Sequence, residues 1–98
     1  MLREDIIACL QAHQMELKAR GFLHVGLIGS LARGDDTERS DVDLVVDLDR
    51  SNVPDAFSYV RTIFQIEQLL GRKVDVVTTP IHKDGLRAEV ERDRVDVF

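Results

Sequence analysis

The sequence predicts an α/β fold, a small β-sheet with helices packed on it, and three observations carry that prediction. Two long segments repeat apolar residues at three- and four-residue steps, the period of a helix with one buried face. Three short apolar runs of strand length alternate with those segments. Glycine or proline punctuates the junctions between them. Alternating helix and strand is the pattern of a sheet that helices cover. The 98 residues are expected to form one domain, 1–98, because domains run about 100–200 residues.

Each element follows in order. Leu2, Ile6, Ile7, Leu10 and Leu17 predict an amphipathic helix over residues 2–20, with Gly21 placed to end it in a left-handed C-cap. Residues 24–28 form a short apolar run closed by Gly29 and Ser30. Residues 31–33 can start a helical turn, and 34–40 are polar and loop-like. Residues 41–47 alternate acidic and apolar at first and then turn apolar, as a largely buried strand does. A connection broken by Pro54 leads to a second helix over 56–70, stopped by Gly71. Residues 73–78 read as a third strand, ended by Pro80. A charged helix over 84–93 follows, and the apolar tail 95–98 is expected to dock on the core.

Composition narrows the function. With 44% hydrophobic and 32% charged residues the chain reads as globular rather than disordered. A net charge of -5 argues against direct nucleic-acid binding, which needs an excess of Lys and Arg. No apolar run reaches the ~20 residues of a membrane span, and Met1 opens an amphipathic segment rather than a signal peptide. Cys9 is the only cysteine, which excludes an internal disulfide and fits a reducing, cytoplasmic setting.

One segment stands apart: Gly29-Ser30-Leu31-Ala32-Arg33-Gly34, then Ser40-Asp41-Val42-Asp43. Ser30 follows a strand and precedes a helical turn, where backbone N–H groups can hold a phosphate. Gly29 lets the backbone approach an anion closely, and the Ser30 hydroxyl adds a donor. Asp41 and Asp43 are two apart in the expected strand, so both carboxylates would project from one face. Paired carboxylates repel unless a cation sits between them, and Mg²⁺ favours one or two carboxylates plus substrate phosphates. A phosphate cradle beside such a pair is the geometry of phosphoryl or nucleotidyl transfer. Asp75 is a third acid in the next apolar strand, and it completes a three-carboxylate site if that strand lies beside the first.

These residues resemble a family. Gly29-Ser30, ten residues, Asp41-x-Asp43 and a later strand Asp75 are similar to the signature of the polymerase β nucleotidyltransferase superfamily. The fuller reading, GSLARGDDTERSDVDLVVDLD with KVDVVT and a charged C-terminal helix, resembles its minimal nucleotidyltransferases, the MntA-like antitoxins of HEPN/MNT toxin–antitoxin pairs. The resemblance implies a polymerase β-like nucleotidyltransferase fold, a small mixed sheet flanked by helices. It implies ATP bound through Gly29, Ser30, Arg33, Asp41 and Asp43, and two Mg²⁺ ions on Asp41, Asp43 and Asp75. Asp75 would be the base for the acceptor hydroxyl. AMP would pass to a Tyr, Ser or Thr of a HEPN-domain ribonuclease toxin.

Plainer readings exist for each residue. Asp41 and Asp43 also suit a solvated strand end, Gly29-Ser30 a simple turn and helix cap, Asp75 an edge-strand acid, and Arg33 a surface ion pair. Asp47 and Asp49 belong to a strand end and loop, and His13, His24 and His82 have no ligand spacing. Arg87, Glu89, Glu91, Arg92, Asp93 and Arg94 read as a solvated helix face, with Arg92 and Arg94 open to a partner. Two other functions compete with AMP transfer to a protein: an antitoxin that acts by contact alone, and a small-molecule nucleotidyltransferase of the aminoglycoside-modifying type. Three clustered acids count against the first, and the lack of a second, acceptor-gripping domain counts against the second.

Overall fold

The structure is a computed structural model and describes residues 2–98. Its elements run α1 (Arg3–Ala12), α2 (Gln14–Ala19), β1 (Phe22–Ile28), α3 (Gly29–Arg33), β2 (Val42–Leu48), α4 (Ala56–Leu70), β3 (Val74–Thr78), α5 (Asp84–Asp93) and β4 (Val95–Asp96). The strands form one mixed sheet in the order β3-β2-β1-β4. β1 is antiparallel to both β2 and β4, and β2 runs parallel to β3.

Several elements depart from the sequence expectation: β1 starts at Phe22 rather than at residue 24, and α3 takes in Gly29 and Ser30. The helix expected over 2–20 breaks at His13 into α1 and α2. There the His13 backbone N–H donates to Leu10 O at 3.1 Å, a tightened last turn, and its ring Nδ1–H donates to Cys9 O at 2.8 Å. Asp41 lies one residue before β2 rather than within it. The C-terminal tail does more than dock: Gly26 pairs with Asp96 and Leu27 with Val95, which adds a fourth strand.

The period of two in the strands divides the sheet into two faces. Val25, Leu27, Val42, Leu44, Val46 and Val74 face the main core, against Ile6, Leu10 and Leu17 of α1–α2 and Ile66 and Leu70 of α4. α4 is anchored at its start, where Asp55 Oδ1 accepts from the Ser58 N–H at 2.8 Å, and closed by left-handed Gly71 (φ 66). The other face carries Ile28 and Val45, packed with Val90 of α5 and flanked by Val77, Ile81 and Leu86. Asp43 and Asp75 fall on this second face by the same alternation, so α5 covers the face that holds the acids.

Candidate active site

Register brings the acids together. Ile28 pairs with Asp43 across β1 and β2, and Asp43 pairs with Asp75 across β2 and β3. One row of the sheet therefore ends in two carboxylates, with the chain turning into Gly29 directly beside them. Gly29 has φ +72, a left-handed backbone, and a Cβ built there would collide with the Asp43 carboxylate. Only glycine lets α3 start this close to Asp43. α3 is a five-residue turn whose Leu31 and Ala32 are buried in the core, and Gly34 (φ 82) ends it. Ser30 is half-buried on its first turn.

A cavity of about 220 Å³ opens over this row. Gly29, Arg33, Asp43 and Asp75 line it from the sheet side, and Leu86, Glu89, Val90 and Asp93 of α5 form the opposite wall. Ser30 and Asp41 do not line it; both are half-buried at its margin. Among the described residues no three acidic, histidine or cysteine side chains stand close enough to hold an ion as they are. Asp43 and Asp75 stand side by side in register, and Asp41, one residue before β2, acts on Asp43 through its charge.

That electrostatic coupling is visible at Asp43. Partial burial raises its carboxyl above the usual range, and the charges of Asp75 and then Asp41 push the same way, with Arg33 opposing. A half-buried carboxylate facing two others is a donor set that a hard cation relieves, and two carboxylates plus substrate phosphates suit Mg²⁺. The residues fit that ion.

Arg33 is held at the cavity rim. Its Nε donates to Asp35 Oδ2 at 3.3 Å and its Nη1 to Asp93 Oδ2 at 3.4 Å. Asp93 also accepts from Arg92 at 2.9 Å, and these bonds hold its carboxyl below the usual range, Arg92 contributing first. Asp93 corrects the reading of the α5 charges as a solvated face: its side chain is only 10% exposed, whereas Glu89 lines the cavity from an exposed position. The signal was present in the spacing, since Leu86, Glu89, Val90 and Asp93 recur at i, i+3, i+4 and i+7. Asp47, by contrast, accepts from the Thr79 hydroxyl and lies 3.8 Å from Arg94, away from the site.

The chain is similar to known proteins over most of its length. The family described as nucleotidyltransferase domain matches residues 15–97. The chain is 37% identical over 95 residues to protein adenylyltransferase MntA of Thermococcus cleftensis, covering 96% of this chain and 94% of the relative. It is 36% identical over 95 residues to MJ1379 of Methanocaldococcus jannaschii, which also carries a protein adenylyltransferase name, with 95% of each covered. A solved structure described as a minimal nucleotidyltransferase superposes with a TM-score of 0.79 at 30% identity, covering 97% of this chain and 95% of that one. A toxin–antitoxin solved with AMP-PNP shares the fold at a TM-score of 0.70 and 18% identity, covering 90% and 72%. Matched over most of its length and carrying the acid pair beside a glycine turn, the chain belongs to the nucleotidyltransferase domain family, among the minimal, MntA-like protein adenylyltransferases.

Proposed function

We propose that the protein moves AMP from ATP onto a Tyr, Ser or Thr hydroxyl of a partner protein, a HEPN ribonuclease toxin, and thereby silences it in the cytoplasm. The observation that carries this reading is the Asp43–Asp75 register pair opening beside Gly29 into one cavity. Support for the nucleotide and the partner comes from fold neighbours described as a toxin–antitoxin with AMP-PNP and as MntA-HpeT.

In this reading Gly29 and Ser30 receive the triphosphate through backbone N–H groups and the Ser30 hydroxyl. Arg33, exchanging Asp35 and Asp93 for phosphate oxygens, neutralises nucleotide charge. Asp41, Asp43 and Asp75 would hold two Mg²⁺ ions, which supply Lewis-acid stabilisation of charge on the phosphates. Asp75, on the exposed edge strand, accepts the proton of the acceptor hydroxyl. The acceptor oxygen bonds to the α-phosphorus, the bond from that phosphorus to the pyrophosphate oxygen breaks, and pyrophosphate leaves. α5 forms the opposite wall, so an acceptor side chain enters between Asp75 and Glu89. Incubation with labelled ATP, Mg²⁺ and the neighbouring gene's product tests the reading: label on that protein supports it, and its absence opposes it.

A further inference from the structure

Arg72 lies outside the cavity and outside every motif the sequence singled out, yet its side chain is only 10% exposed. It sits just before β3 and aims its guanidinium back across the loop that leads to Asp41. Its Nε donates to Ser40 O at 3.2 Å, and its Nη2 donates to the same oxygen at 2.6 Å and to Thr37 O at 3.0 Å. Nη2 also stands 3.7 Å from Asp36 Oδ2. The loop closes on itself beneath this fork: Thr37 N donates to Ser40 Oγ at 2.9 Å, and Ser40 N to Thr37 O at 3.0 Å. On the far side of Asp41, Val42 N donates to Lys73 O at 2.8 Å. Asp41 is therefore bracketed. The residue before it is held by the Arg72 side chain and the residue after it by the Lys73 carbonyl, both at the start of the strand that carries Asp75.

We infer that Arg72 is a positioning residue: it fixes Asp41 relative to Asp43 and Asp75, and so sets cation affinity at a site it does not touch. The inference rests on the reading of Asp41 as a member of that site. The loop from Gly34 to Asp41 would otherwise leave the carboxylate free to swing, and ordering it at the moment of binding costs affinity. The geometry asks for arginine. Two donors in a rigid plane reach two carbonyls at once, whereas lysine offers a point charge on a flexible stem.

The test is a double-mutant cycle on Mn²⁺ affinity, read by electron paramagnetic resonance of the free ion with the full chain, below the melting temperature of every variant. Mn²⁺ serves because carboxylate sites that suit Mg²⁺ also suit it. Arg72→Ala should weaken Mn²⁺ binding by about 10-fold, the lower end of the usual loss when a group supporting a ligand is removed. Arg72→Lys should recover only part of it, and it stands in if the alanine variant fails to fold. In an Asp41→Asn background, removing Arg72 should change affinity no further, because its effect passes through that carboxylate. Wild-type affinity in Arg72→Ala, or losses that simply add in the double variant, overturns the inference while leaving the site intact. Unchanged Mn²⁺ affinity in Asp43→Asn overturns the site reading itself and this inference with it.

Discussion

Asp43 and Asp75 face each other in register on two parallel strands, the closest association of acids that the sheet provides at its cavity. Neither strand is distorted to bring them there. A regular parallel ladder, Val42 with Val74 through Val46 with Thr78, places them side by side as a consequence of where each run begins.

Such a pair is costly without a cation, and Asp43→Asn should show it. In chelator-treated protein at neutral pH the variant should melt at a higher temperature than the wild type, because burial and two neighbouring charges disfavour the Asp43 carboxylate. The sign follows from the raised carboxyl: the folded state gains stability as Asp43 protonates and loses it as pH rises through the folded value. The advantage of asparagine should accordingly vanish toward pH values below about 3.9, where the unfolded carboxyl is also protonated. Melting curves across pH check this, while AMP transfer by the same variant should fall by at least about 100-fold if the charge holds a catalytic metal.

Two glycines give opposite expectations. Gly29→Ala forces a side chain into a left-handed backbone and against Asp43, at about 1–2 kcal/mol for the backbone alone. A melting temperature lower by roughly 5–15 °C follows for a domain of this size, together with lost nucleotide binding. Gly85→Ala, in the first turn of α5 with open space where a Cβ would stand, should instead stabilise by about 0.4–1 kcal/mol. Thermal melts of the two variants, with isothermal titration of ATP in Mg²⁺, separate a site glycine from a helix glycine.

Helix α4 supplies a pH-dependent contribution remote from the site. The Ser58 backbone N–H holds the Asp55 carboxyl below its usual range, with the Ser58 hydroxyl adding to it. A depressed carboxyl stabilises the fold above its unfolded value and loses that contribution as pH falls through the folded one. Asp55→Ala should thus lower the melting temperature at neutral pH by a few degrees, and the difference from wild type should shrink below about pH 3.9. A difference independent of pH would mean that the carboxylate is not the capping group.

The sequence showed much of this in outline. Gly29-Ser30, Asp41-x-Asp43 and Asp75 stood out in the sequence because phosphate cradles and paired acids are built from those residue types. Periodicity placed α4 at its observed bounds, and the charged run 84–93 coincides with α5. What it left open was neighbourhood. Alternation tells which face Asp75 occupies, but only the chain's crossover through α4 decides that β3 lies beside β2. The break at His13 was hidden because a side-chain bond to Cys9 O, not glycine or proline, accompanies it. β4 was hidden because two residues make no pattern. Nothing in the sequence marks Arg72, since its partners are backbone carbonyls that sequence does not display.

Chemical transfer and inhibition by contact alone are separated by intact-mass spectrometry of the partner. The proposed partner, a HEPN ribonuclease, would be co-expressed with the wild type or with the Asp41→Asn/Asp43→Asn double variant and weighed after purification. Added mass in whole AMP units, with growth rescued, is expected only beside the wild type. Rescue by the double variant with a partner of unmodified mass would contradict it and make the protein an antitoxin that works by binding alone.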